Sequence, residues 1–201
     1  MPGIFIVGTD TGCGKTLVSA GLIKYFRNRG ISTGYMKPIS CGPKKENDAV
    51  FLKKLLKLKD PLDLINPISL SHPLSPYASA KLAKISLNLQ LIKKSYSRLK
   101  TKYSLLIIEG VGGALVPIKK DYLIVDLIKD LKTPALIVAR AGLGTINHTL
   151  LTIEALKKRK IQILGIIFNG YAGNDLSEKT NAEIIKEISG IPILAKLKQI
   201  F

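Results

Sequence analysis

The sequence predicts a three-layer α/β/α fold, in which helices cover both faces of a mostly parallel sheet. Short apolar runs alternate with amphipathic helical patterns from one end of the 201-residue chain to the other, and this alternation is typical of parallel strands joined by helices. The first apolar run also leads through a glycine-rich turn directly into a helical pattern. Because no linker or low-complexity tract interrupts the sequence, we expect residues 1–201 to form a single domain.

The predicted elements follow from apolar periodicity and from the positions of glycine and proline. Asn47 is expected to cap the second helix, and the fully apolar strand at 105–108 is expected to lie centrally in the sheet. We predict strands at 4–7, 33–37, around 68, and at 105–108, 135–139, 163–168 and 192–197. We predict helices at 17–29, 49–58, from 75 onward, and at 87–99, 125–131, 146–158 and 178–188.

Composition favours a globular protein and argues against several classes of partner. Hydrophobic residues make up 46% of the chain and charged residues 22%, and the apolar runs are too short to cross a bilayer. The amino-terminal residues show no signal-peptide pattern, so we expect a cytoplasmic protein without a membrane partner. The two cysteines lie in predicted loops, and His72 and His148 stand apart, so neither a disulfide framework nor a zinc site is expected.

The formal net charge of +17 is the strongest compositional signal. Such an excess of cations suits nucleic acid or an anionic membrane surface. The lysines are scattered over several predicted helices, however, and aromatic residues are not interleaved with them. We therefore expect no nucleic-acid partner, because lysines on solvated helix faces explain the charge equally well, and such an excess of cations would also attract polyanionic nucleotides.

The segment from Gly8 to Thr16 predicts a phosphate-binding loop. It follows the first strand and precedes the first helix, so its backbone N–H groups and the helix dipole converge on one point. Lys15 can reach the outer phosphates of a nucleotide, and the hydroxyl of Thr16 can ligate Mg²⁺. The usual pattern has a glycine five positions before Gly14, where this chain has Thr9, and the glycine lies one residue earlier. The sequence therefore predicts a P-loop nucleotide enzyme with a displaced glycine.

Polar residues follow several predicted strands, and the carboxyl ends of parallel strands meet at one edge of a sheet. Glu109 follows four apolar residues, which is how P-loop proteins direct a carboxylate toward Mg²⁺. Asp48 begins a helix, and it is either a second Mg²⁺ ligand or an acid that only favours the helix dipole. Lys37 ends a strand, and it is either a cation that stabilises a transferred phosphoryl group or a solvated lysine.

These motifs resemble the dethiobiotin synthase family of biotin biosynthesis. The resemblance covers nearly the whole chain, and the displaced glycine belongs to the family pattern. The motifs that carry the resemblance are Gly8-Thr9-Asp10-Thr11, Gly14-Lys15-Thr16, Lys37-Pro38, Asn47-Asp48-Ala49, Glu109-Gly110-Val111-Gly112-Gly113, Leu143-Gly144-Thr145-Ile146-Asn147-His148 and Asn169.

The resemblance implies a Mg²⁺- and ATP-dependent carbon–nitrogen ligase. An amine of 7,8-diaminopelargonate takes up CO₂ as a carbamate, and ATP phosphorylates that carbamate. The second amine then attacks the mixed anhydride, which closes the cyclic urea and releases phosphate. The resemblance also implies a homodimer with the substrate site at its interface. The expected partners are therefore small molecules and a second copy of the chain.

The resemblance also assigns roles to residues at the strand ends. The catalytic residues would be Lys15, Lys37 and Thr11, and the Mg²⁺ ligands would be Thr16, Asp48 and Glu109. Nucleotide contacts are implied for Gly12, Cys13, Gly14, Lys15, Thr16, Leu17, Asp48, Glu109, Gly110, Val111, Gly112, Asn169 and Gly170. Substrate contacts are implied for Thr11, Ser40, Cys41, Gly112, Leu143, Gly144, Thr145, Ile146 and Asn147. Residues 144–147, at a helix N-terminus, would bind the substrate's carboxylate across the dimer interface, which suits anion binding at such a terminus.

The chain departs from the family pattern at three places. Gly12 and Cys13 stand where many members have Glu and Val. Cys41 stands where a substrate-contacting Ser is common. The sequence ends at Phe201, where longer members have a segment that contacts the base, so these residues do not define a preference for ATP.

Three other classes share the phosphate-binding loop. A related amidoligase would usually carry a glutaminase domain. A nucleotide kinase would have an arginine-rich lid. The sequence indicates neither feature. A partition-type switch ATPase, which dimerises on DNA or membrane, would have a lysine where this chain has Asp10. An aspartate cannot supply that positive charge, so the ligase is the leading hypothesis.

Overall fold

A six-stranded sheet forms the middle layer of the computed structural model, which describes residues 3–43, 45, 47–173 and 175–198. In chain order the strands are Gly3–Gly8 (β1), Thr33–Met36 (β2), Ile39–Cys41 (β3), Ile68–Leu70 (β4), Leu105–Gly113 (β5), Pro117–Lys119 (β6), Tyr122–Leu123 (β7), Ala135–Arg140 (β8), Ile163–Tyr171 (β9) and Ile193–Lys198 (β10). The main sheet has the order β10-β9-β8-β1-β5-β2, and all its neighbouring strands pair in parallel, as predicted.

Helices cover both faces of this sheet. They are Lys15–Arg27 (α1), Asp48–Leu55 (α2), Leu62–Ile65 (α3), Pro76–Leu82 (α4), Leu89–Lys102 (α5), Ile124–Leu131 (α6), Thr145–Lys158 (α7) and Leu176–Ser189 (α8). Successive residues of a strand point to opposite faces. Phe5 and Val7 accordingly pack with residues of α5 to α8, whereas Ile4 and Ile6 pack with residues of α1 and α2. The predicted three-layer α/β/α arrangement is confirmed.

Several local predictions needed correction. The predicted loop around Ser40 and Cys41 is wrong in part, because both residues lie on β3, which pairs in parallel with β4. The short elements α3, β6 and β7 were not predicted, since two to four residues are too few to show a period. Strand β5 is interior, as its apolar run indicates, but it lies second from the edge, and β1 and β8 occupy the centre.

The strand register brings the candidate site residues to one edge of the sheet. Gly8 at the end of β1 pairs with Gly113 on β5 and Val138 on β8, and Arg140 pairs with Asn169 on β9. The phosphate-binding loop therefore begins beside the carboxyl ends of the neighbouring strands. Within the described ranges, no helix has both the length and the apolar character needed to cross a membrane.

Candidate active site

The loop between β1 and α1 is closed by a lysine that folds back over it. The Nζ atom of Lys15 donates to the carbonyl oxygen of Asp10 at 3.0 Å. A Cβ atom on Gly8 would lie 2.7 Å from that Nζ atom and 2.8 Å from that carbonyl oxygen. Only glycine fits at this position, which gives the displaced glycine of the sequence a physical cause. Gly14 then begins α1 in the left-handed region, with a φ of +93°.

Lys37, Asp48 and Glu109 form an ion-pair cluster beside this loop, in which Lys37 and Glu109 are buried and the side chain of Asp48 is 42% exposed. The Nζ atom of Lys37 lies 2.5 Å from Oδ2 of Asp48 and 2.7 Å from Oε1 of Glu109. Lys37 is 3% exposed and Glu109 is fully buried. Burial acts to lower the pKa of Lys37, but the charges of Glu109 and Asp48 outweigh it, so the pKa lies above its usual value. The alternative of a solvated Lys37 is therefore wrong.

Both carboxylate oxygens of Glu109 accept hydrogen bonds. Oε1 accepts from the Thr16 hydroxyl at 2.8 Å as well as from Lys37, and Oε2 accepts from the Tyr35 hydroxyl at 2.9 Å. Burial and, second, the charge of Glu109 raise the pKa of Tyr35 well above its usual value, so the phenol keeps its proton and donates. The sequence did not indicate Tyr35, because its contact with Glu109 crosses from one strand to the next.

The donor set at this cluster fits a hard cation such as Mg²⁺. Thr16, Asp48 and Glu109 supply one hydroxyl and two carboxylates; both carboxylates pair with Lys37, and the hydroxyl donates to Glu109. Mg²⁺ in nucleotide sites is usually held by one or two carboxylates together with phosphate oxygens and water. Among the described residues, no group of three or more His, Cys, Asp or Glu could hold a metal. Two carboxylates and a hydroxyl would leave coordination positions for phosphate oxygens and water.

A buried amide network holds the backbone of Lys37 and the start of α2. Asn66 donates to the carbonyl oxygen of Lys37 at 2.8 Å and accepts from the Ser40 hydroxyl at 2.8 Å and from Asn47 at 3.0 Å. Asn47 also accepts from a backbone N–H of α2 at 2.8 Å, which confirms its predicted role as the helix cap. This cap places Asp48 in the first turn, beside Lys37. Asn66 was missed, because its partners are distant in sequence.

A cavity of about 520 Å³ opens above the phosphate-binding loop and the ion-pair cluster. Twelve of its lining residues were predicted as site residues, and they are Thr11, Gly12, Gly14, Lys15, Thr16, Lys37, Ser40, Cys41, Asp48, Glu109, Val111 and Gly112. Sequence reasoning did not assign the other lining residues to the site, and they are Asn47, Pro73, Leu74, Ser75 and Val116. Burial raises the pKa of the Cys41 thiol to about 11, although the positive charge of Lys37 opposes the shift.

The remaining predicted nucleotide contacts lie around this lining. Cys13 is buried, and its carbonyl oxygen accepts from Nδ2 of Asn169 at 3.3 Å. Gly110 lies on β5 between two lining residues, and Gly170 follows Asn169 on β9. Leu17 instead lines a separate apolar groove on the α1 face of the sheet. The structure thus brings Asn169 to the phosphate-binding loop and turns Leu17 away from the cavity.

The predicted substrate segment 143–147 stands apart from the cavity lining among the described residues. Leu143 is 87% exposed, and Gly144 begins α7 in the left-handed region with a φ of +87°. The chain just before the segment is held from the adjacent helix, because the buried Asn181 of α8 donates to the carbonyl oxygen of Ala141 at 2.9 Å. Leu143, Gly144 and Asn147 of this segment are therefore exposed on the surface of the chain and Thr145 is buried, and none of the four lines the cavity.

Comparisons with solved structures agree with this architecture. The ParA family ATPase from Chlorobium tepidum TLS has a TM-score of 0.62 at 14% identity, over 98% of this chain and 84% of that chain. The septum site-determining protein MinD from Pyrococcus horikoshii OT3, solved with Mg-ADP, has a TM-score of 0.61 at 18% identity, over 98% and 80%. The fold and the loop together define a P-loop NTPase-like α/β protein.

Sequence comparisons narrow this class. A family model described as an AAA domain matches residues 2–200. The ATP-dependent dethiobiotin synthetase of Thermodesulfovibrio yellowstonii is 41% identical over 97% of this chain and 88% of that protein. The enzyme of the same name from Methanocaldococcus jannaschii is 45% identical over 97% and 93%. The chain belongs to the family of ATP-dependent dethiobiotin synthetases, as its motifs predict.

Proposed function

We propose that this protein joins CO₂ to 7,8-diaminopelargonate with ATP and closes the cyclic urea of dethiobiotin. The observation that carries the proposal is the buried Lys37, which is held between Asp48 and Glu109 at the floor of a cavity that also contains Lys15. Lys37 of the cluster and Lys15 of the phosphate-binding loop thus supply two cations to one cavity. The chain's relatives are named for the same reaction.

The first two steps gather negative charge close to these cations. A carbon–nitrogen bond forms between one substrate amine and CO₂, and loss of a proton leaves a carbamate. A carbamate oxygen then attacks the γ-phosphorus of ATP, and the bond to ADP breaks. Fixed ammonium groups stabilise such developing charge without having to reorganise. Lys15 and Lys37 supply these groups, and Thr11, which lines the same cavity, would contact both reactants.

The last step requires a held intermediate and little water. The second amine attacks the carbonyl carbon of the mixed anhydride, the carbon–oxygen bond to phosphate breaks, and the nitrogen loses a proton. Water in the cavity would hydrolyse the anhydride instead. Pro73, Leu74 and Val116 give one side of the cavity an apolar wall, and Ser40 and Cys41 lie among the residues that would contact the substrate.

Thr16, Asp48 and Glu109 would hold Mg²⁺ in this site. When bound, the ion supplies positive charge that neutralises the phosphates. The N–H groups of Gly12, Cys13 and the residues that begin α1 would bind phosphate oxygens. Asn169 and Gly170, at the end of β9, would approach the base. Residues 199–201, where longer members contact the base, lie outside the described residues.

We further propose a homodimer in which segment 143–147 of one copy binds the carboxylate of the substrate held in the other copy. The exposure of Leu143, just before α7, and of half-exposed Leu151 on α7 supports an interface on this side of the chain. The open N-terminus of α7 suits a carboxylate. Since ATP and CO₂ are available in the cytoplasm, we place the reaction there.

The direct test is to supply purified protein with diaminopelargonate, ¹³C-bicarbonate, Mg²⁺ and each nucleoside triphosphate in turn. We expect dethiobiotin carrying one ¹³C atom, formed in step with the nucleoside diphosphate, and the active triphosphates define the base preference. Hydrolysis of a triphosphate that neither needs the diamine nor yields labelled product would contradict the proposal. That result would instead favour a switch ATPase.

A further inference from the structure

Tyr35 lies behind the carboxylate of Glu109, on the side away from the cavity-lining residues. Its side chain is 1% exposed, and its phenol oxygen lies 2.9 Å from Oε2 of the fully buried Glu109. On the neighbouring strand Tyr35 pairs with Ile107, two residues before Glu109. Residues two apart on a strand share a face of the sheet. Tyr35 therefore reaches Glu109 diagonally, from within the hydrophobic layer beneath α1 and α2.

The two oxygens of Glu109 face different partners. Oε1 accepts from Thr16 and Lys37, both of which line the cavity, whereas Oε2 accepts from Tyr35. The terminal torsion of a glutamate is otherwise broad, so packing alone sets the carboxylate plane poorly. With Oε2 held from behind, the carboxylate cannot rotate without losing a buried hydrogen bond. The phenol thus fixes the orientation in which Oε1 faces the cavity.

Packing alone does not require the hydroxyl, because phenylalanine fills nearly the same volume. Two other phenol–carboxylate pairs among the described residues offer a comparison, Tyr103 with Asp60 and Tyr122 with Asp130. The carboxylates of both pairs also bind lysines, and both pairs lie outside the cavity lining. In the described part of the chain, only the pair at Glu109 joins a tyrosine to a cavity-lining carboxylate.

We propose that Tyr35 is a positioning residue for the divalent cation, acting through Glu109. The proposal rests on the proposed function in one respect, that Glu109 is a Mg²⁺ ligand. Groups that orient a metal ligand through its second oxygen or nitrogen typically change metal affinity by about 10- to 100-fold when they are removed. Tyr35 would therefore set cation affinity without touching the cation, the nucleotide or the substrate.

The test compares Tyr35→Phe with Tyr103→Phe, which removes a phenol from a carboxylate outside the site. Isothermal titration of Mg²⁺ into each protein with ADP bound gives the cation affinity, and titration of ADP in EDTA gives the metal-free nucleotide affinity. We expect Tyr35→Phe to weaken Mg²⁺ binding by about tenfold or more and to leave ADP binding in EDTA unchanged. Tyr103→Phe should change neither affinity.

Equal Mg²⁺ affinity in wild type and Tyr35→Phe would overturn the proposal, as would equal weakening in both variants. Thermal unfolding of each variant adds a control for stability, because a lower melting temperature with normal Mg²⁺ binding would assign the hydroxyl to stability alone. The titrations contain no diamine. A wild-type protein that makes no dethiobiotin would therefore refute the proposed reaction while leaving the test of Tyr35 valid.

Discussion

The phosphate-binding loop and segment 143–147 use the same backbone device in opposite surroundings. Gly14 and Gly144 each begin a helix, α1 and α7, in the left-handed conformation, with φ of +93° and +87°. Gly14 lines the cavity beside the buried Lys37. Gly144 is exposed, and its neighbour Leu143 is 87% exposed. One helix terminus lines a cavity, and the other lies at the surface.

This difference suggests different roles for one chain and for a pair of chains in ligand binding. The phosphate side is held by buried ion pairs and amide hydrogen bonds, so its charges are oriented before a ligand arrives. Segment 143–147 follows two carbonyl groups held by Asn181 and contains the buried Thr145, but Leu143, Gly144 and Asn147 are exposed. We infer that nucleotide binding belongs to one chain, whereas substrate binding needs two. Each prediction below tests one side of this comparison.

The largest effect is expected on the phosphate side, from Lys37→Ala. Removing a fixed charge that stabilises a transition state lowers kcat by roughly 10²- to 10³-fold, and nucleotide affinity should change far less because Lys15 and the loop remain. Steady-state kinetics with a nucleotide titration measures both quantities. Lys93→Ala is the control, since Lys93 pairs with Asp130 at 2.9 Å on the surface. Unchanged turnover in Lys37→Ala would remove Lys37 from the mechanism.

On the exposed side, Leu143→Ser should weaken the dimer. Burying a leucine contributes about 1.5–3 kcal/mol, and a twofold interface contains the residue twice, so the dimer dissociation constant should rise by roughly 10²- to 10⁴-fold. Sedimentation at several protein concentrations measures this constant. Leu176→Ser is the matched control, because Leu176 is 77% exposed at the start of α8. A similar loss of dimer in both variants would move the interface elsewhere.

Gly144→Ala tests the backbone of the exposed helix terminus. A left-handed φ costs a residue with a Cβ atom roughly 1–2 kcal/mol, so KM for diaminopelargonate should rise by about tenfold while nucleotide affinity stays constant. Gly142→Ala should have little effect, since a Cβ atom there meets open space and its φ is not left-handed. Equal KM values for the two variants would show that the backbone conformation of Gly144 is not needed for substrate binding.

The smallest effects should distinguish two buried amides. Asn66 holds the carbonyl oxygen of Lys37, and Asn181 holds that of Ala141. Replacing either by Ala should cost about 1–3 kcal/mol of unfolding free energy, because buried polar groups lose their partners. We expect Asn66→Ala to lower kcat several-fold and Asn181→Ala to raise KM for the diamine several-fold. The same kinetic change in both variants would contradict the claim that Asn66 supports the phosphate side and Asn181 supports the substrate side.

The sequence predicted the phosphate side well because its signals are local. Glycine and lysine spacing marks the loop, Lys37 directly follows β2, and Glu109 follows the apolar residues 105–108, although β5 continues to Gly113. Asp48 was ambiguous on spacing, and its 2.5 Å contact with Lys37 brings it to the site. The alternation of strands and helices was sufficient to predict the three layers. The order of the strands, in contrast, follows only from how they pair in the structure.

The missed residues have signals that are not local. In the sequence, Tyr35 is one residue of a predicted strand, and its contact with Glu109 follows only from the pairing of β2 with β5. Asn66 is one residue of a predicted loop, and its contacts follow only from the pairing of β3 with β4. Leu74 lies in a proline-rich stretch without a clear period, yet it lines the cavity. Contacts between elements distant in the sequence depend on tertiary packing, which one-dimensional periodicity does not encode.

The most direct test of a site shared by two chains is to mix two inactive variants. Lys37→Ala removes the cation that stabilises phosphoryl transfer. In the double variant Gly144→Ala with Asn147→Asp, the new carboxylate would repel the carboxylate of the substrate. If segment 143–147 serves the other copy, subunit exchange creates mixed dimers with one intact site, and dethiobiotin formation should recover to roughly a quarter of the wild-type rate per chain. If each chain served its own cavity, every mixed dimer would lack an intact site, and the mixture would stay inactive.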